Sequence, residues 1–248
     1  MALSVLLIAL VMGLLMLLLA RQQQRRPVEL RPLHGYRALL DQVGRAVESG
    51  RQIHVGLGRG GLHQRSSPAS LAALGTLENL AGKSSASTAP PFVTVNDGTL
   101  LLAAQDKVRQ AYDAAGRTGE LAPASAQFMA DSAYPFVYAA AANALMHSEN
   151  VGSNILLGHF GAEIGIVCEA GSRRQVAQIV GSIDLEAVAL ATAVTGDVLV
   201  GEEMLAAGAY LEGKPSQIAS VQAQDVLRWV IALAVLVNSV LYLWGGSG

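Results

Sequence analysis

The hydrophobic positions of the chain form two continuous runs that enclose a longer stretch of alternating apolar and polar residues. Residues 2–20 form a leucine-rich run without a charge, and residues 226–244 form a second run whose strongly polar members are Arg228 and Asn238. At 1.5 Å per residue, each run makes a helix of about 28 Å, enough to cross the apolar core of a bilayer. The pattern therefore predicts an N-terminal and a C-terminal transmembrane helix.

Basic residues predict how these helices are oriented. Arg21, Arg25, Arg26 and Arg31 follow the first run, whereas no charged side chain precedes it or follows the second run. Because positive charge stays on the cytoplasmic side, we expect a two-pass protein of the cell (inner) membrane, with both termini outside and the intervening domain in the cytoplasm. The length of the first run and the lack of a preceding basic residue favour a retained helix over the alternative, a cleaved signal peptide.

Three positions within the two runs predict contact between helices. Ala9 and Gly13 lie four residues apart, a spacing of small residues that lets helix backbones approach closely. Asn238 lies inside the second run, where lipid offers its amide no hydrogen-bonding partner. We expect these positions to face a neighbouring helix, although small residues are also common in membrane helices that make no such contact.

Between the runs, strand-type and helix-type patterns alternate. Short apolar segments predict strands at 53–57, 92–95, 127–130, 155–160 and 178–182. Helical spacing, with Ser, Asn or Asp at the starts and Gly at the ends, predicts helices at 36–47, 67–81, 97–115, 136–147, 162–169, 184–193 and 201–211. Such alternation predicts a doubly wound, Rossmann-like parallel sheet. We assign it to residues 53–224, after a basic juxtamembrane segment and an amphipathic helix at 21–52.

Composition narrows the classes of partner. The chain carries 17 Lys and Arg against 19 Asp and Glu, a formal net charge of −2, and its basic residues cluster only after the first run. Nucleic acid is therefore not an expected partner, because it requires a concentrated basic surface. The expected partners are the lipid bilayer and either further copies of the chain or another membrane protein. The single cysteine, Cys168, lies on the apolar side of a predicted helix and is expected to be an inert, buried thiol in a reducing compartment.

One Gly-rich segment has a spacing associated with dinucleotide binding. Residues 56–61 have the sequence GLGRGG and follow a predicted strand. In a dinucleotide-binding fold, Gly56, Gly58 and Gly61 would allow a tight turn close to a pyrophosphate, and Arg59 would add positive charge. However, the next helix is predicted to begin several residues too late, and the next strand ends well beyond the usual spacing of about 20 residues. A flexible loop is the alternative interpretation.

Two other pairs of residues have candidate chemistry and a simpler interpretation. His159 and Glu163 could share a metal ion on one helix, but His159 is predicted to end a strand, so a structural role is favoured. Glu202 and Glu203 could act as acid and base, but adjacent helical positions point about 100° apart, and acidic residues stabilise a helix start. We therefore predict no catalytic residue and no resident metal.

Residues 201–211 have the sequence GEEMLAAGAYL, and this segment resembles a signature of a bacterial membrane-protein family of unknown function. Residues 103–112 and 158–163 are also similar to that family, and the likeness covers most of residues 68–225. That family has no assigned activity. The resemblance therefore implies a membrane-anchored domain and contributes no catalytic residue.

Together these features favour a non-enzymatic structural or scaffold subunit of a homo-oligomer or larger membrane complex. The alternative is a nucleotide-binding or sensing domain that is tethered to the membrane, with a nucleotide bound by the loop at 56–61. An enzyme acting on a membrane substrate ranks third, because the sequence offers no convincing catalytic set. No other cofactor is predicted.

Overall fold

The computed structural model of the chain describes residues 11, 13–22, 30–63, 66–85, 90–117, 119 and 125–245. The chain separates into two compact units, Met1–Arg31 with Gly213–Gly248 and, separately, Pro32–Glu212. The predicted contact at Ala9 and the basic residues Arg25 and Arg26 lie outside the described residues.

The first unit contains two described helices, α1 (Gly13–Gln22) and α10 (Pro215–Gly245). Within the described residues, one helical segment, Pro215–Ser239, is long and apolar enough to cross a membrane by length and composition. The described part of α1 is apolar but shorter than a span. Helix α10 begins eleven residues before the predicted start at 226, with Pro215 in its first turn, where proline is favourable.

The second unit is built on a parallel sheet of six strands. Its strands are β1 (Gln52–Gly58), β2 (Phe92–Val95), β3 (Ala126–Phe128), β4 (Val151–His159), β5 (Ala177–Ser182) and β6 (Val198–Val200). They lie in the order β3-β2-β1-β4-β5-β6, and each neighbouring pair is parallel. The structure therefore has the predicted α/β architecture with a parallel sheet.

Helices cover both faces of this sheet. They are α2 (His34–Glu48), α3 (Ser67–Ser84), α4 (Gly98–Ala114), α5 (Pro135–Ser148), α6 (Glu163–Arg173), α7 (Leu185–Val194), α8 (Glu202–Leu205) and α9 (Ala207–Leu211). Two separate hydrophobic cores form. Helices α2, α3 and α4 pack on the face that carries Ile53, Val55 and Leu57, and helices α5, α6 and α7 pack on the face that carries Leu156 and Val180. The alternation of side chains along each strand produces the two layers.

Local sequence signals account for several helix starts. The Asp97 carboxylate accepts hydrogen bonds from the backbone N–H groups of Thr99 and Leu100, at 2.9 and 3.1 Å, and so caps α4. The Asp184 carboxylate caps α7 in the same way through the N–H of Glu186, at 3.0 Å. These caps satisfy N–H groups that have no partner within the helix.

Some element boundaries differ from the prediction. The sequence pattern missed β6, a strand of three residues. Residues 201–211, predicted as one helix, form α8 and α9 with a break at Ala206. The compact unit also includes α2, which packs on the sheet through Leu39 and Val43, whereas residues 213–224 lie outside it. The compact unit therefore runs from Pro32 to Glu212, and the domain boundaries at 53 and 224 stay a prediction.

A buried chain of hydrogen bonds crosses the sheet on the side of α5 and α6. Its members, in order, are Tyr138, Thr94, His54, Asn154, Gln178 and the carbonyl group of Cys168. The Asn154 carbonyl oxygen accepts from His54 Nδ1 at 2.6 Å, so His54 Nε2 accepts from the Thr94 hydroxyl at 2.8 Å. With this tautomer, each hydrogen bond of the chain joins one donor to one acceptor. The network therefore stabilises the register of β2, β1, β4 and β5.

Candidate ligand site at the carboxyl edge of the sheet

The strand order places a topological switch point between β1 and β4. The chain runs outward from β1 through β2 to β3, and then from β4 through β5 to β6 on the other side. The loops that follow β1 and β4 therefore lead to helices on opposite faces of the sheet. In open α/β sheets, this divergence creates a crevice at the carboxyl ends of the strands, where ligands bind.

Three residues end or follow neighbouring strands at this edge. Gly58 is the last residue of β1 and is aligned with His159, the last residue of β4. Asn96 comes directly after β2, which pairs with β1 up to Gly56 and Thr94. The ends of β2, β1 and β4 therefore bound the candidate site.

The glycines of the GLGRGG segment allow close approach of neighbouring chain segments. Gly58 has φ +70°, and a Cβ there would overlap the carbonyl oxygen of His159. A Cβ on Gly56 would lie 2.6 Å from the Tyr138 hydroxyl group. Gly61 is buried in the loop that follows. Packing thus accounts for Gly56 and Gly58 independently of any ligand.

Arg59 reaches from the loop after β1 to the loop after β4. Its backbone N–H donates to the His159 carbonyl oxygen at 2.9 Å, and its Nε lies 3.8 Å from Glu163 Oε1. Its guanidinium group also lies against Gly161, where a Cβ would overlap it. The Glu163 carboxylate is 2% exposed and accepts a hydrogen bond from the Gly161 N–H at 2.9 Å. Arg59 and Glu163 therefore place one positive and one negative charge at the switch point.

Several buried polar atoms near the loops after β1, β2 and β4 have no hydrogen-bond partner, as do others elsewhere in the described chain. Those at this edge belong to Arg59 (Nε), Ser66 (Oγ), Ser70 (Oγ), Asn96 (Nδ2 and Oδ1) and His159 (Nδ1). Ser66, Ser70 and Asn96 are 7%, 0% and 2% exposed. Each unsatisfied buried polar group costs about 1–3 kcal/mol, so such groups are rare unless a further partner completes them.

The two serine hydroxyls converge on one glycine. A Cβ on Gly60 would lie 2.7 Å from Ser70 Oγ and 3.0 Å from Ser66 Oγ, so the hydroxyls flank the Gly60 backbone at the start of the 18-residue helix α3. The N-terminal end of a helix favours negative charge because its first N–H groups point outward. Hydroxyls, backbone and helix end thus form a cradle suited to an anionic oxygen.

Among the described residues at this edge, Arg59 is the side chain with a permanent positive charge. Burial, and then the nearby Arg59, lower the pKa of His159, so its imidazole is neutral at neutral pH. Burial raises the pKa of Asp97, but hydrogen bonds from Thr99 and Leu100 outweigh that effect and hold it below its usual value. His63, in the loop after β1, contributes to the same lowering of the Asp97 pKa.

His159 and Glu163, which were considered as a metal-binding pair and predicted to have a structural role, lie on different elements. His159 is the last residue of β4 and Glu163 the first of α6, so they do not share a helix face. Among the described residues, no group of three or more His, Cys, Asp or Glu side chains is placed to hold a metal ion. Their observed contacts are those that order the loop after β4.

The remaining candidate residues lie in structural environments. Glu202 and Glu203 begin α8, and Glu203 accepts a hydrogen bond from the Val200 N–H at 3.2 Å. Cys168 is buried in α6, and burial raises the pKa of its thiol to about 12, so it is protonated and unreactive at neutral pH.

Sequence reasoning missed the polar residues that give the crevice its character. Ser66 and Asn96 have the residue types of helix caps, but neither side chain makes a capping hydrogen bond. At α4 the capping side chain is Asp97, the residue after Asn96. The signal that could have identified Asn96 is its position directly after a buried strand, at the edge where parallel sheets bind ligands.

The fold and the polar residues at this edge define an α/β domain with a parallel sheet and a candidate ligand site at the carboxyl ends of β1, β2 and β4. A family model described as Domain of unknown function (DUF6754) matches residues 1–247, and the chain belongs to this family. No curated protein and no solved structure matches the chain. The expectation of a family without assigned function is therefore confirmed, whereas its membrane character and the signature at 201–211 stay predictions.

Proposed function

We propose that the chain is a membrane-anchored protein whose α/β domain binds a nucleotide at the carboxyl edge of β1, β2 and β4. The observation that supports this most strongly is Asn96. Its side chain is almost fully buried directly after β2, at the carboxyl edge of the sheet, and neither its amide nitrogen nor its carbonyl oxygen has a hydrogen-bond partner. A nucleobase or ribose presents the donors and acceptors that would satisfy both atoms.

The rest of the crevice has the chemistry to hold a phosphate group. Ser66 and Ser70 offer hydroxyl donors beside Gly60, and the start of α3 favours negative charge. Arg59 supplies a positive charge whose Nε is not yet hydrogen-bonded. A phosphate group near the start of α3 and a neutral polar group near Asn96 would therefore supply the missing hydrogen-bond partners of these atoms.

The membrane anchor is the second part of the proposal. Helix α10 supplies one span, and the apolar run at 2–20, which overlaps α1, supplies the other. The arginines after the first run favour a cytoplasmic domain with both termini outside. In this arrangement the domain binds the nucleotide at the inner face of the cell membrane.

Thermal unfolding of the full chain in lipid nanodiscs tests the proposed site. We would measure the unfolding midpoint with and without ATP, NAD and cyclic AMP, for the wild type, Asn96→Leu and Asn143→Leu. Asn143 is the matched control because its Oδ1 is also buried without a partner but lies on α5. A ligand at about 100 times its Kd stabilises the native state by about 2.7 kcal/mol and raises the midpoint by several degrees.

We expect at least one nucleotide to raise the midpoint of the wild type and Asn143→Leu but not of Asn96→Leu. The ligand-free Asn96→Leu protein should be at least as stable as the wild type, because leucine removes an unsatisfied polar group without a large change of volume. The proposal fails if no nucleotide shifts the wild type, or if Asn96→Leu shows the same shift.

A structural subunit that self-associates is the second candidate function, and Asn238 favours it. This amide is exposed on α10 among apolar neighbours such as Val235 and Leu236. In lipid its most favourable partner is the same residue on another copy, with a gain of about 0.6–2 kcal/mol. Gly13, which is exposed on α1, would permit close approach at a second contact.

Single-molecule photobleaching in native membranes distinguishes this candidate. Asn238→Leu should lower the oligomeric fraction, with a several-fold weaker association constant. Ser239→Ala is the control, because the Ser239 hydroxyl already bonds to the Val235 carbonyl oxygen of its own helix at 2.8 Å. A monomeric wild type, or equal association of both variants, would exclude self-association through Asn238.

A further inference from the structure

Helices α5 and α6 enclose a groove on the face of the sheet opposite α3 and α4. Its volume is about 780 Å³, within the range of sites that bind small molecules, and its described lining comes from the second half of α5 and from α6. We propose that this groove is a second binding site, which takes the carboxylate end of an apolar α-amino acid, either free or as the last residue of a peptide.

Small residues of α6 leave the space for this groove. Gly165 has no side chain, and a Cβ there would have atoms of Leu190 as its nearest neighbours, at 3.8–4.0 Å, so the position is not crowded. Ala170 also lines the groove, and Ile166, which is 44% exposed, presents its side chain between them. This part of the wall is therefore apolar and suits an apolar side chain of a ligand.

Two buried polar atoms of opposite kind line the same groove without a partner. Arg174 Nη1 is a donor on the side of α6, and Asn143 Oδ1 is an acceptor on the side of α5. They do not bond to each other, so a ligand between them must offer an acceptor to the arginine and a donor to the amide oxygen. Buried polar atoms usually have such a partner.

The end of α6 holds Arg174 in place. Its backbone N–H donates to the Gly171 carbonyl oxygen at 3.2 Å, and the next N–H, of Gln175, donates to the Ser172 carbonyl oxygen at 2.9 Å. This turn fixes the backbone from which the Arg174 side chain extends into the groove. An arginine in such a position can bind a carboxylate through two parallel hydrogen bonds.

The acid of this wall is already engaged elsewhere. The Glu169 carboxylate lies 2.8 Å from Nε of Arg173, and it is not a hydrogen-bond partner of Arg174 Nη1. The partner that Arg174 lacks is therefore to be sought in a ligand, and a carboxylate is the group that its geometry matches best.

The two unsatisfied atoms together narrow the class of ligand. An α-amino acid presents a carboxylate to Arg174 and an N–H donor to Asn143 Oδ1, while an apolar side chain covers Ile166. A fatty acid would satisfy the arginine but offers no donor to the amide oxygen, and a sugar offers no charge to the arginine. The last residue of a peptide has the same two groups as the free amino acid.

Calorimetric titration of the full chain in nanodiscs tests this assignment on the wild type. The probes are leucine and phenylalanine, each also as its N-acetyl derivative, as its amide and as the acid that lacks the amino group. We expect at least one amino acid or N-acetyl derivative to bind. Its amide, which lacks the carboxylate, and the acid without an N–H should each bind at least about tenfold more weakly.

The N-acetyl derivatives distinguish the two sources of the ligand, because they carry the amide N–H of a peptide end. Tighter binding of the N-acetyl form indicates a peptide, and tighter binding of the free form indicates an amino acid. Binding of none of the probes, or equal binding of the acid that lacks the amino group, would overturn the inference.

Variants then locate the site. Arg174→Gln and Asn143→Leu should each weaken the best probe at least about tenfold. Arg109→Gln, at an exposed arginine of α4, and Asn96→Leu should leave its Kd unchanged. An unchanged Kd in both Arg174→Gln and Asn143→Leu, or equal weakening by Arg109→Gln, would overturn the inference.

This inference does not depend on the proposed nucleotide site, and the same two asparagine variants keep the tests apart. Asn143→Leu should lose the amino acid probe and keep the nucleotide response, whereas Asn96→Leu should do the reverse. Failure at one site would therefore leave the result at the other unaffected.

Discussion

His54 is a titratable side chain inside the sheet, and its surroundings favour the neutral form of its ring. It is fully buried, both ring nitrogens are hydrogen-bonded, and its ring stacks on Phe92 with centroids 4.7 Å apart. Burial lowers its pKa to about 4, against the opposing effect of the hydrogen bond to Asn154. Protonation would also remove the acceptor that Nε2 offers to the Thr94 hydroxyl. The hydrogen-bond network therefore requires the neutral ring.

Stability should therefore fall on acidification. Because the pKa of His54 is lower in the folded than in the unfolded chain, the unfolded state binds more protons between pH 6.5 and about 4, and the free energy of unfolding rises with pH there. The expected loss between pH 6.5 and pH 5 is about 2 kcal/mol. Denaturant unfolding of the wild type and His54→Gln over this range measures it.

The His54→Gln protein should lack most of this slope, whereas His147→Gln, a change at an exposed histidine, should keep it. The comparison removes the contribution of other titrating groups that both variants share. Identical slopes for the wild type and His54→Gln would show that His54 is not held neutral by the fold.

At this scale the sequence predicted side chains that act locally and missed those that act across strands. Asp97 and Asp184 were identifiable as caps because a cap bonds to N–H groups two or three residues away. His54 and Asn154 are 100 residues apart, and nothing local shows that they share a proton. For the same reason Asn154, a polar residue inside β4, hid the start of that strand, which was predicted at 155 but lies at Val151.

Among the elements, β1 and β4 form the pair on which the candidate site depends. Their register shifts between Gly56 and Gly58, and both strands have a glycine with positive φ near this point, Gly58 on β1 and Gly158 on β4. This bulge lets the strands stay paired up to Arg59 while their loops diverge. The glycines of the GLGRGG segment thus allow β1 and β4 to approach closely, and Arg59 lies where the two strands end.

Gly58→Ala should destabilise the protein strongly. The residue has φ +70°, which costs a side chain about 1–3 kcal/mol, and the new Cβ would also overlap the His159 carbonyl oxygen. Gly82→Ala is the control, because Gly82 lies in α3 with nothing near its Cβ position, and alanine there should stabilise by up to about 1 kcal/mol. Thermal unfolding midpoints that move in opposite directions would support the junction; an unchanged midpoint for Gly58→Ala would contradict it.

Elements with a full apolar period and clear end signals could be predicted, and short ones could not. β1, β2, α3 and α4 lie within a few residues of their predicted positions. β6 has three residues and follows the apolar helix α7, so its pattern merged with its neighbour. The candidate site was predicted at Gly56, Gly58, Arg59 and Gly61. Asn96 was missed because it follows a different strand, and the parallel pairing of β1 and β2 is what places both strand ends at one edge.

At the scale of the whole molecule, the two-pass topology is testable through cysteine labelling. The native Cys168 is buried, so it gives little background reaction with maleimides. In spheroplasts, a membrane-impermeant maleimide should label Ser247→Cys but should label Asp113→Cys, at an exposed position of α4, only after permeabilisation. Labelling of Asp113→Cys in intact spheroplasts would place the α/β domain outside and reject the topology.

The central claim is that a nucleotide binds at the carboxyl edge of this sheet. Hydrogen–deuterium exchange of the full chain in nanodiscs, with and without cyclic AMP or NAD, locates any bound nucleotide most directly. The account predicts slower exchange in peptides that cover residues 56–63, 94–99 and 159–164, and unchanged exchange in residues 143–148 and 166–174 on the far side of α5 and α6. Protection only in α5 and α6, or none with either nucleotide, would contradict it.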